Sequence, residues 1–100
     1  MNIPLSQSYH RSIDAERLES AEQVLLDHIR LGTTPAACAA VMNRSDTLAV
    51  WAAGGHTYDA DALTTKPDDL FDLASVTKVI ATATLCGVYV DSGHLDLDQP

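Results

Sequence analysis

The chain has 100 residues, with 14 acidic against 6 basic side chains and a net charge of −8. That length fits one small domain or a piece of a larger one, and a hydrophobic content of 46% sets it apart from a disordered tail. The acidic balance, with no Lys/Arg cluster to neutralise phosphates, argues against a nucleic-acid or anionic-membrane partner.

The opening stretch, MNIPLSQSYHRSIDAERLES, has no apolar core and no small-residue cleavage site, so it carries no secretory signal. No apolar run reaches the roughly 20 residues that a membrane span needs. A cytoplasmic location is therefore expected. Residues 1–11 are polar and read as a flexible N-terminus, and residues 12–100 as the structured part. Ile13, Leu18, Ala21, Val24, Leu25, His28 and Ile29 recur at helical spacing. Asp14, Glu16, Glu19 and Glu22 suit the positive end of a helix dipole, Arg30 suits the other end, and Gly32 is a plausible stop. A helix over residues 13–31 follows.

Thr33-Thr34-Pro35 is a connector. AACAAVMN and TLAVWAAGG then flank NRSD, whose Asn43, Ser45 and Asp46 are turn formers. This predicts a β-hairpin of two strands, each apolar on nearly every residue and so covered on both faces. Gly54-Gly55 permits a bend or bulge. Residues 56–69 read as a loop with a short strand around Thr57 and Tyr58, punctuated by Pro67. A second helix runs from Val76 to Asp91 or Ser92, ends at Gly93, and is apolar almost all round, the mark of a buried helix. Cys38 and Cys86 lie in apolar surroundings without a CxxC and read as buried free thiols in a reducing compartment. His10, His28, His56 and His94 show no metal-ligand spacing and read as structural.

The chemistry-bearing stretch is FDLASVTKVIATATLCG, residues 71–87. Ser75 and Lys78 stand three apart where a loop turns into a helix. A serine hydroxyl is a poor nucleophile until a base takes its proton, and a neutral lysine can be that base. Residues i and i+3 share a helix face. In a first turn the positive dipole end disfavours an ammonium and favours an alkoxide. A backbone N–H there can also serve as an oxyanion donor. The plain alternative is that Ser75 caps the helix and Lys78 is a solvated first-turn residue. Asp72 and Thr77, which flank the pair, read as structural, with Asp72 a cap for the helix.

The stretch FDLASVTKVIATATLCGVYVDSGHLDLDQP resembles the nucleophile segment of the serine beta-lactamase and penicillin-binding-protein superfamily. It is most similar to the class C beta-lactamase-related hydrolases and esterases. Phe71, Ala74, Ser75, Thr77, Lys78, Gly93, Leu95, Leu97, Asp98 and Pro100 carry the likeness. Residues 35–58 resemble that family's opening strand pair, and the helix over 13–31 its N-terminal helix. The resemblance implies an α/β (α+β) fold of the beta-lactamase/transpeptidase type. It implies catalysis through an acyl-enzyme, with Ser75 as nucleophile and Lys78 as its partner base. It also implies no cofactor and a small-molecule acyl substrate, an ester or a lactam. The family's later motifs, Y-x-N or S-x-N and K-T-G or H-x-G, do not occur in these 100 residues. The chain is accordingly expected to be the N-terminal part of such a hydrolase domain, inactive or poorly active alone. The alternative expectation is a non-catalytic truncated paralogue that binds a partner, its exposed apolar surface favouring oligomers.

Overall fold

The computed structural model describes residues 2–99, which divide into two compact units, one ending at Asp69 and the other starting at Leu70. The first unit is a three-stranded antiparallel sheet with one helix. Its elements are β1 (Leu5–Tyr9), α1 (Glu19–Arg30), β2 (Ala36–Met42) and β3 (Thr47–Gly54). The second unit carries α2 (Thr84–Asp91), preceded by a helical run of different pitch.

In the first unit β3 lies between the other two strands, in the order β1-β3-β2. The predicted hairpin forms, but its outer strand is not covered on both faces, since Cys38, Ala40 and Met42 of β2 are exposed. Asn43 makes its turn by accepting from the backbone N–H groups of Ser45 (2.8 Å) and Asp46 (2.7 Å) through Oδ1. Being central, β3 holds the core: Ala49, Trp51, Ala52 and Ala53 are all buried. Gly54 closes the strand at a φ of +86°, and a Cβ there would stand 2.1 Å from the Pro35 carbonyl oxygen. Only glycine fits that approach.

Two expectations are corrected here. The polar stretch read as a flexible N-terminus contains β1, which pairs with β3 from Leu5↔Ala53 to Tyr9↔Ala49. Its residues are mostly exposed. What holds it is backbone hydrogen bonding to a strand some 40 residues on, for which local polarity is no guide. No strand forms at Thr57 and Tyr58. Gly55 bridges to Thr64 instead, and Thr57 bends back to Asp59 through its hydroxyl, 2.8 Å from Oδ2.

The first helix begins with a 3₁₀ turn over Ala15–Leu18, capped by Asp14, before α1 proper. It ends as predicted at Gly32, whose φ is +71°. The face turned to the sheet differs from the one read from apolar spacing. Leu18, Glu22, Leu25, Leu26 and Ile29 are part-buried, whereas Ala21, Val24 and His28 are exposed. Glu22 faces inward because its Oε2 accepts from Trp51 Nε1 at 2.8 Å and from the Tyr9 hydroxyl at 2.9 Å. Desolvation and the Glu22 carboxylate raise the Tyr9 pKa against the opposing pull of the Trp51 N–H.

Both cysteines are free, as expected, but exposed rather than buried. Cys38 lies on the edge strand β2, its Sγ donating to the Lys66 carbonyl at 3.5 Å. Partial loss of solvent there, then the charge of Asp69, raises the thiol pKa.

Asp69 closes the loop that follows β3. Its Oδ2 accepts from the Lys66 backbone N–H and pairs with His56 Nε2, each at 2.8 Å. These two bonds, the backbone one first, hold its carboxyl below the usual carboxylate range. A depressed folded pKa adds stability above the unfolded value, and that stability is lost as pH falls through the folded one. Asp69→Asn is therefore expected to lower the denaturation midpoint at neutral pH. The difference from wild type should vanish in strong acid. Chemical denaturation across pH 2–7 checks this, and a gap that persists at the acid end would refute it.

Candidate active site

The second unit begins with a turn, and the turn shapes the site. Asp72 Oδ1 accepts from the Ala74 backbone N–H at 2.8 Å. Val76 donates its N–H to the Leu73 carbonyl at 2.9 Å. Ala74 between them has a φ of +43°, the sole non-glycine with positive φ among the described residues. A 3₁₀ turn over Ala74–Val76 follows at once.

Ser75 lies in this turn and Lys78 opens the π-helical run that follows Thr77, so the two stand one helical turn apart on a common face. Lys78 Nζ lies 2.9 Å from Ser75 Oγ and donates to it. The same separation serves a neutral amine accepting from the hydroxyl. The structure thus brings together the two residues singled out by their spacing. Neither Ser75 nor any other side chain caps the helix at its N-cap, Leu73, and Asp72 bonds the Ala74 N–H one residue on.

From Lys78 to Ala83 the chain is π-helical, and it becomes α2 only at Thr84. The Thr84 hydroxyl donates to the Val79 carbonyl five residues back, at 3.1 Å. The sequence reading of one uniform helix is corrected on this point. Single π segments mark functional sites more often than chance. The helix ends, as predicted, at Gly93, with φ +72°.

The helix has the composition of a buried one, and within these residues its apolar side chains lack that cover: Val79 is 65% and Leu85 56% exposed. Ser75 and Lys78 are exposed as well. The recess lined by Val90, Gly93 and residues 94–99 contains neither of them. The arrangement can therefore hold a proton between a hydroxyl and an amine, but no wall of this unit excludes water from it. Among the described residues no group of three or more His, Cys, Asp or Glu side chains is placed to hold a metal ion. No helix among them is long and apolar enough to cross a membrane.

A family model described as Beta-lactamase matches residues 25–100. The chain belongs to the beta-lactamase family. The match runs from within α1 through both strands of the hairpin and the whole second unit, so Ser75 and Lys78 fall inside it. The small α+β architecture, with two helices and a three-stranded antiparallel sheet, agrees with a part of a beta-lactamase-like domain. β1 lies outside the matched residues. Comparison with curated proteins and with solved structures gives no match. Pro100, the last residue of the resemblance, lies outside the described residues.

The sequence singled out Ser75 and Lys78 by their spacing and Asp72 as a helix cap, whereas the cap lies at Leu73 without a side-chain bond. It carried no sign of the left-handed Ala74 or the π segment. Neither leaves a trace in residue type. Left-handed backbone usually announces itself by glycine or asparagine, and position 74 is an alanine.

Proposed function

We propose that this member of the beta-lactamase family is a serine acyl hydrolase in which Ser75 is the nucleophile and Lys78 its base. The observation that carries the reading is the 2.9 Å contact between Lys78 Nζ and Ser75 Oγ. In the reaction the Ser75 oxygen attacks the carbonyl carbon of an ester or lactam, and the hydroxyl proton passes to Lys78. The substrate's ester C–O bond or lactam ring C–N bond then breaks, the leaving oxygen or nitrogen takes that proton from Lys78, and the new ester bond to Ser75 Oγ remains; an alcohol departs, whereas a lactam nitrogen stays tethered to the acyl group. Water then releases the acyl group. The Ser75 backbone N–H, at the start of the turn, is the candidate oxyanion donor on this chain.

One donor is half of the usual pair, and losing one costs about 10²–10³ in rate. We therefore expect these 100 residues to acylate slowly and to turn over poorly. A fluorophosphonate probe reads the first step alone. Ser75 Oγ displaces fluoride from phosphorus, and the proton goes to Lys78. Treating the full chain and mapping the label by peptide mass spectrometry should place it on Ser75. Label that persists in Ser75→Ala, or that maps elsewhere in wild type, would defeat the reading. Parallel assays with a p-nitrophenyl ester and a chromogenic lactam then separate the two substrate classes.

A further inference from the structure

We propose that Asp72 is a positioning residue for Ser75, acting through the backbone of Ala74. The inference rests on Ser75 being the acylated residue. Ala74 at φ +43° sits in a region that an L-residue with a Cβ leaves unless its surroundings hold it there. Two hydrogen bonds hold it. The Asp72 carboxylate takes the Ala74 N–H at 2.8 Å, and the Leu73 carbonyl takes the Val76 N–H at 2.9 Å. The left-handed residue turns the chain abruptly, so that the 3₁₀ turn starts at Ala74 and Ser75, within it, meets Lys78 at the start of the π-helical run. Were Ala74 to relax to an ordinary φ, the chain leading into Ser75 would rotate, and with it the direction of Oγ.

The route is the backbone and not charge. Among the described residues the ion pairs are Arg30–Asp27 and His56–Asp69, and Asp72 makes none with Lys78. Asparagine keeps an acceptor oxygen at the same place and loses the charge. Glycine at position 74 takes positive φ freely and needs no clasp. These two properties separate positioning from a general effect on folding.

The test measures the rate of Ser75 phosphonylation in the full chain, together with hydrogen exchange at the Ala74 amide. Asp72→Ala should slow phosphonylation about tenfold, as expected when a left-handed alanine loses its support. Asp72→Asn should recover most of that loss. In an Ala74→Gly background the effect of Asp72→Ala should shrink to about twofold. The Ala74 amide should exchange faster in Asp72→Ala than in wild type. If the amide loses protection while phosphonylation keeps its wild-type rate, Asp72 holds the turn without positioning Ser75, and the proposal falls. It falls equally if neither the asparagine nor the glycine variant restores the rate. If wild-type Ser75 takes no label, the serine hydrolase reading fails and the positioning role fails with it. Amide protection that still depends on Asp72 would then mark a purely structural turn.

Discussion

Lys78→Met is expected to slow phosphonylation of Ser75 by about 10²–10⁴-fold, the usual contribution of a positioned general base. Methionine is unbranched like lysine and removes the nitrogen that stands 2.9 Å from Ser75 Oγ. Lys78 is exposed and makes no ion pair among the described residues, so the fold should not change. Far-UV circular dichroism of the variant should overlay that of wild type. Lys78→Arg makes the sharper comparison. A guanidinium keeps the charge and the donors but does not give up its proton in a protein, so it cannot accept one from serine. Both variants should be slow if lysine is the base. An arginine variant that labels at the wild-type rate would show that Lys78 acts by charge alone.

Trp51→Ala is expected to cost the first unit about 3–5 kcal/mol, the range for deleting a large buried aromatic. The other buried hydrophobic side chains here are alanines, so Trp51, 2% exposed, supplies most of the core volume. Its indole N–H also donates to Glu22 and to the Tyr9 hydroxyl, tying α1 and β1 to the central strand. The Tyr9 ring meets the indole edge-on, with centroids 6.0 Å apart. A small domain is stable by only about 5–15 kcal/mol in all, so most of the margin should go. Urea denaturation followed by circular dichroism measures the loss. Trp51→Phe should lose less, because it keeps most of the packing and gives up only the hydrogen bonds. An alanine variant with the wild-type midpoint would show that the core does not rest on this residue.

The exposed apolar face of the second helix bears on the site. Oxyanion and proton-transfer groups gain strength where water is excluded, and Ser75 and Lys78 sit among exposed side chains. Their 2.9 Å contact joins two exposed side chains one helical turn apart, with the backbone rather than buried packing to hold them. That is why substitutions at Asp72 and Ala74, which act on the backbone, are expected to register in the rate.

By itself the sequence determined those features whose cause lies within a few residues. Asn43 closes the hairpin through its own side chain, and Gly32 and Gly93 end helices because they take positive φ. The S-x-x-K spacing placed Ser75 and Lys78 within reach of each other because helical geometry is local. Other features arise from contacts between segments distant in the chain. β1 exists because its backbone pairs with β3, and hydrogen bonding between distant segments leaves no periodicity in side chains. Glu22, and not Ala21 or Val24, turns inward because Trp51 and Tyr9, far off in sequence, offer it two donors. Ala74 is the exception: the bonds that accompany its left-handed backbone are local, yet residue type alone does not record that an alanine takes a positive φ.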